Sequence, residues 1–219
     1  MIIDCISDLH GHYPALEGGD LLIVAGDLTA KDSYQEHCIL SHWFYEQSKN
    51  YKKIILIAGN HDNLLQDTGI GIDYEAQYLC DSGTEFEGLK IWGSPWTLKF
   101  EGMNPHCMAF TVDTEEELAE KWALIPDDVD ILVTHSPPFG IYDQIRRYLQ
   151  DMPISVGSTS LMTWMKEKWK VFNSLKINIF GHIHEHGGKS GSLNMIQFIN
   201  ASHVNEDYEP VNKPVRVIL

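Results

Sequence analysis

The chain has 219 residues, 43% of them hydrophobic, and a formal net charge of −15 from 16 basic and 31 acidic side chains. That length suits one generous domain, read as a single unit over 1–219, and the apolar share excludes wholesale disorder. The acidic field repels long nucleic acid and anionic membrane, so neither is an expected partner.

No apolar run approaches the roughly 18 residues of a membrane span, and the start MIIDCISDLHG meets an acid at Asp4. It reads as a strand, not a leader, and a cytoplasmic location is expected. Cys5, Cys38, Cys80 and Cys107 stand far apart without a CxxC pair. A thiolate zinc site and a disulfide framework are both disfavoured.

Taken in chain order, short aliphatic runs stop abruptly at polar turns. Ile2–Ile6 ends at SDLHG, Leu21–Ala25 at GDLT and Ile54–Ala58 at GNHD; Ile131–Thr134 ends at HSPP and Ile177–Phe180 at GHIH. Continuous β-branched runs of this length predict strands buried on both faces. Ser33 and Glu36 have capping-box spacing, and Cys38, Ile39, Trp43 and Phe44 are the candidate apolar face of the helix that follows. Thr84–Phe86 and Lys90–Trp92 predict a hairpin around Glu87-Gly88. The stretch Leu98–Phe110 is the least patterned and is a candidate surface loop over a site. Thr114 precedes three glutamates, which suit a first helical turn, with Leu118 and Trp122 on one side. Leu161, Met165, Trp169 and Phe172 form a further helical stripe between Ser160 and Phe172, and Met195–Ile199 and Val215–Leu219 close the chain as strands. The expected fold class is α/β, a two-layer β-sandwich core of mixed sheets flanked by α-helices.

Each buried strand ends in good metal ligands. Asp8 and His10 are two apart, as are His182 and His184, so an extended backbone would point each pair to one side. Asp27 follows Gly26; Asn60, His61 and Asp62 follow Gly59; His135 follows the next strand. In open α/β folds the carboxyl ends of strands converge on one crevice. Two carboxylates, an amide oxygen and several imidazoles suit two divalent metals such as Mn, Fe, Zn, Co or Ni, with Mn favoured.

The ordered set DLH (Asp8–His10), GD (Gly26-Asp27), GNHD (Gly59–Asp62), TH (Thr134-His135) and GHIH (Gly181–His184) resembles the calcineurin-like metallophosphoesterase family over nearly the whole chain. GDLLIVAGDLT, IWGSPWT, ILVTHSPPFG, FGHIHE and INAS with YEPVNKP further resemble its small metallophosphoesterase-domain branch, phosphodiesterases of cyclic nucleotides. The resemblance implies that Asp8, His10, Asp27 and His184 hold one metal. Asp27 would bridge to a second, completed by Asn60, His135 and His182. His61 would face the substrate phosphate, with Asp62 steadying it. His186 stands where relatives tend to carry glycine, and is expected to be a non-ligand facing solvent or the pocket rim.

Two metals roughly 3.5–4 Å apart can hold a bridging hydroxide and clamp a phosphate. The expected function is therefore hydrolysis of a small phosphodiester, with a cyclic nucleotide as one candidate and His61 serving the leaving oxygen. A phosphomonoesterase or protein phosphatase on the same metals is the alternative, and a non-catalytic scaffold a weaker one. Trp96 could floor a base pocket or be plain core. His12 is read as a loop residue or a phosphate contact, and His37, His42, His106 and His203 as non-ligands.

Overall fold

A computed structural model of the chain describes residues 1–68, 75–100, 103–146, 152–169 and 174–219. In chain order the elements are β1 (Ile2–Ile6), β2 (Gly19–Ala25), α1 (Tyr34–Gln47), β3 (Tyr51–Ile57), α2 (Asn63–Thr68), β4 (Gln77–Tyr78), β5 (Ser82–Phe86), β6 (Leu89–Ser94), β7 (Thr97–Leu98) and β8 (Thr111–Val112). They continue with α3 (Glu115–Trp122), β9 (Ile131–Thr134), β10 (Gln144–Ile145), β11 (Ile154–Ser155), α4 (Thr159–Lys168), β12 (Ile177–Phe180), β13 (Ser190–Leu193), β14 (Ile196–Asn200) and β15 (Val215–Ile218).

Two mixed sheets carry the fold. One has the order β15-β1-β2-β3-β4, with β1, β2, β3 and β4 parallel and β15 antiparallel to β1. The other has the order β13-β14-β12-β9-β6-β5, parallel from β14 to β6 and antiparallel at both edges. Side chains alternate across each strand, and this sorts the core. Ile3, Cys5, Ile23 and Ile55 meet Ile131, Val133, Ile177 and Ile179 between the sheets. Leu22, Val24 and Leu56 face outward onto α1, and Leu132, Phe180 and Phe198 onto α3 and α4. Helix, sheet, sheet and helix thus stack as the expected sandwich, which is why the runs read as buried on both faces.

Local signals hold where the chemistry is local. Ser33 and Glu36 form a complete capping box on α1, as do Thr114 and Glu117 on α3. The hairpin turns at Glu87 and Gly88, both left-handed. The α1 face differs from expectation: Cys38 and Ile39 are exposed, and His37, Leu40, Trp43, Phe44 and Gln47 are buried. The pattern misled because His37 counts as polar, yet its ring is paired with Asp32 at 2.7 Å and buries as a hydrogen-bonded body. In the last helical stripe Leu161 and Met165 are buried, and Phe172 lies outside the described residues. Leu98–Phe110 is only partly a surface loop, since Cys107, Ala109 and Phe110 are buried and β7 pairs with β8. Glu101 and Gly102 of that stretch lie outside the described residues. No helix among the described residues is long and apolar enough to cross a membrane.

Candidate metal centre

The parallel strands of both sheets end at the same edge, and their polar turns meet there. Three groups of donor atoms result: Asp8, His10 and His184; His10, Asp27 and His61; and Asp27, His135 and His182, each with its ligand atoms within 4.8 Å of one another. Asp27 belongs to two of the three groups, as His10 does, and its Oδ2 faces three imidazoles. That oxygen lies 3.4 Å from His135 Nε2, 3.7 Å from His10 Nε2 and 3.9 Å from His61 Nε2. Asn60 joins the group through Oδ1, 3.1 Å from His135 Nε2, and its Nδ2 donates to the Cys107 carbonyl, which fixes the amide's orientation. All seven expected ligands and His61 are therefore brought together.

The route differs from the expected extended backbone. β1 ends at Ile6, and Asp8 and His10 then take left-handed φ of 51° and 41°. β12 ends at Phe180, His182 has φ 69°, and His184–His186 form a 3-10 turn. Asp27, at φ 52°, is left-handed too. Alternation along a strand is not what aims these side chains; tight turns are, and such strained conformations persist where surrounding contacts over-determine them. The His182 N–H donates to Asp8 at 3.0 Å, Ser202 Oγ donates to Asp8 Oδ2 at 2.7 Å, and the His61 N–H donates to Asp27 Oδ1 at 2.9 Å. Close approach also demands glycine: a Cβ on Gly181 would overlap Asp8 Oδ2 and Ser7 Oγ, and one on Gly59 would overlap Asp27 Oδ1.

Asp62 is fully buried, and its carboxylate accepts from the backbone N–H of Leu28 and of Gly59. It ties two loops together and does not hold the His61 ring. That ring lies instead with Nδ1 3.5 Å from Cys107 Sγ. His12 donates its backbone N–H to Leu9, and His203 is buried against the Asn212 carbonyl. His186 sits beside Lys189, outside the three donor groups. Trp96, partly buried against the core, donates to Asp81 and packs under the Lys121 ammonium and against Phe110, and it is not among the residues lining the cavity over the centre. Sequence reasoning missed Ser202, Cys107 and Tyr208 as neighbours of the centre; INAS and YEPVNKP contained two of them without marking a role.

The electrostatics fit a cation. Burial pushes the His10 imidazole down to about 4 and, with His135 beside it, His182 down to about 3, so both rings present neutral lone pairs. Burial works against a charged His135 as well, yet Asp27 outweighs it and lifts that ring to about 9. Burial would raise Asp27, but His135 and His61 hold it well below the usual carboxylate range. Asp8 is likewise low, burial being outweighed by His184. Asp62 goes the other way, pushed well up by burial and by the charge of Asp27. A divalent ion would take the place of the proton that Asp27 keeps on His135. Nδ1 of His135 is turned to the Ala25 carbonyl at 2.9 Å, the outer hydrogen bond that orients a ligating imidazole. The mixed oxygen and imidazole donors, without a thiolate, fit divalent metals.

A cavity of about 390 Å³ opens onto the centre, lined by Asp27, Asn60, His61, His182 and His184 and by the apolar Leu98, Phe100, Ile145 and Val156 together with Tyr208. A two-layer sandwich thus gathers, at the ends of its strands, the Asp- and His-rich donor set of a divalent metal centre. Residues 1–186 match the family model for calcineurin-like phosphoesterases, and the chain belongs to that family. It is 31% identical to the human Metallophosphoesterase domain-containing protein 1, over 98% of this chain and 70% of that one. A UPF0046 protein of Caenorhabditis elegans is 30% identical over 94% of this chain and 78% of its own. Among solved structures, the Phosphopantetheinyl Hydrolase of Mycobacterium tuberculosis is 17% identical, with a TM-score of 0.58 over 99% of this chain and 95% of that one, a likeness of fold.

Proposed function

We propose that the protein is a two-metal phosphodiesterase acting on a small ester. The observation that carries this is Asp27, whose carboxylate belongs to two donor groups at once. In this reading Asp8, His10, Asp27 and His184 hold one cation, and Asp27, Asn60, His135 and His182 the other. When bound, two such ions supply Lewis acidity toward phosphoryl oxygens and a nucleophile at neutral pH. His61 turns Nδ1 to Cys107 and offers Nε2 to the departing ester oxygen as proton donor. Asp62 keeps the Asp27 and Asn60 loops in register while this happens. Manganese suits a set that joins carboxylate and amide oxygens with imidazoles. The net charge of −15 favours a small ester over a long nucleic acid, and four free cysteines accord with a cytoplasmic protein.

The test is to strip the protein of metal, reload it separately with Mn, Fe, Zn, Co or Ni, and assay bis-p-nitrophenyl phosphate against p-nitrophenyl phosphate. Diester turnover restored by metal, and exceeding monoester turnover, is the expected result. Faster monoester turnover would reassign the protein as a monoesterase. No turnover with any ion would make it a scaffold.

A further inference from the structure

Tyr208 occupies a position that the metal-ligand motifs do not mark. Its ring centroid lies 4.8 Å from that of His10 and 5.1 Å from that of His184, T-shaped to both, and 6.5 Å from that of His61. Half of its surface is nevertheless exposed, and it lines the cavity over the centre. Its backbone is left-handed, φ 62°, a conformation that bulky L residues rarely adopt. The loop is built to hold it there. Asn205 Oδ1 accepts from the N–H groups of Asp207 and Glu209 at 3.1 and 2.8 Å, and the Tyr208 N–H donates to the Asn205 carbonyl at 2.9 Å. A strained residue fixed by a dedicated turn beside a reactive centre points to a role in that centre.

The remaining walls narrow the ligand. Leu98, Phe100, Ile145 and Val156 are apolar. Lys99 on the wall is engaged by Asp113 at 2.8 Å, and Glu185 and Glu206 stand there too. Among the described lining residues, a second anionic group on the ligand would therefore meet carboxylates and an ammonium that already has a partner.

We propose that Tyr208 is a specificity-determining residue and that this cavity takes the apolar, aromatic arm of an ester carrying a single phosphoryl group. The inference rests on the phosphoesterase reading above and adds the chemistry of the arm. Offset or edge contacts with an aromatic ring add to simple burial, and the half-exposed ring of Tyr208 offers such a contact.

The experiment uses metal-loaded protein and p-nitrophenyl diesters whose second ester group is methyl, phenyl or 4-carboxyphenyl, so that the leaving group stays constant. The phenyl ester is expected to exceed the methyl ester in kcat/KM by about tenfold, from burial of the ring, and the 4-carboxyphenyl ester to fall below the phenyl. Tyr208→Ala should reduce the phenyl-to-methyl ratio about 3- to 10-fold, chiefly through KM, and Tyr208→Phe should preserve it. Calorimetry supplies a readout apart from turnover: phenylphosphonate should bind more tightly than methylphosphonate, and Tyr208→Ala should erase that difference. A ratio unchanged in Tyr208→Ala, equal loss for all esters, or preference for the carboxylate-bearing arm would overturn the proposal while leaving the phosphodiesterase reading intact. Absence of turnover of every diester would overturn that reading, and this one with it.

Discussion

The backbone N–H of Leu28 donates to Asp62 Oδ1 at 3.0 Å, so a side chain from the Asn60 loop holds the backbone directly after Asp27. The same carboxylate accepts from Gly59 at 2.7 Å. Asp62→Ala would leave two buried N–H groups without an acceptor, at about 1–3 kcal/mol each. Asp62→Asn keeps one acceptor oxygen and should cost less. Denaturant unfolding of the two variants checks the order, and equal losses would remove Asp62 from its role as tie.

Asp27 and His61 should separate metal binding from turnover. Asp27→Asn is expected to lose both metal and activity, because the carboxylate shared by two of the donor groups is gone. His61→Ala should retain both metals and lose about 10²–10⁴-fold in turnover. Metal analysis beside steady-state rates decides this, and the reverse pattern would refute the division of roles.

Gly181 leaves no room for a methyl group between Ser7 and Asp8. Gly181→Ala should force the Asp8 carboxylate aside, costing about 1–3 kcal/mol as overpacked positions do, and should lower metal content. A thermal scan and metal stoichiometry would show it, whereas a variant with full metal content would mean that Asp8 has another acceptable position.

Glu36 provides a pH test remote from the centre. Burial is the largest single influence and raises its carboxyl, but hydrogen bonds from Ser33, Lys31 and Ala30 together outweigh it and hold the group below its ordinary 4.5. A lowered folded value means stability that is present above the unfolded pKa and lost as pH falls through the folded one. Glu36→Gln should therefore cost about 0.5–1 kcal/mol at pH 7, in the range of helix caps, and the gap to wild type should close in acid. A gap that persists unchanged below that range would show that the charge is immaterial.

His186 lies beside Lys189 and outside the donor groups. His186→Ala should leave metal content unchanged and stability within about 0.5 kcal/mol. Loss of one equivalent of metal would make it a ligand after all.

Much of this was legible in the sequence, and the particular residues show why. The aliphatic runs fixed the central strands because burial on both faces leaves only apolar side chains, and the caps at Ser33 and Thr114 are short-range contacts. The set of residues that gather at the centre was legible through its resemblance as a whole. Its geometry was not: Asp8, His10, Asp27 and His182 owe their aim to left-handed turns, which no periodicity encodes. The buried face of α1 is not legible because the burial of His37 depends on Asp32, a partner that hydropathy does not register. Tyr208 was hidden because its role depends on a loop folding back across the first strand's turn.

The donors come from both layers of the sandwich. Asp8, His10, Asp27 and Asn60 follow strands of one sheet, and His135, His182 and His184 follow strands of the other. Bound cations would act as a clasp across the open edge of the sandwich, and any ligand that binds only the folded state stabilises it by mass action. Free metal concentration would then set how firmly the two sheets stay closed at that end. Amide exchange in the strand-end turns should slow as the metal is titrated in.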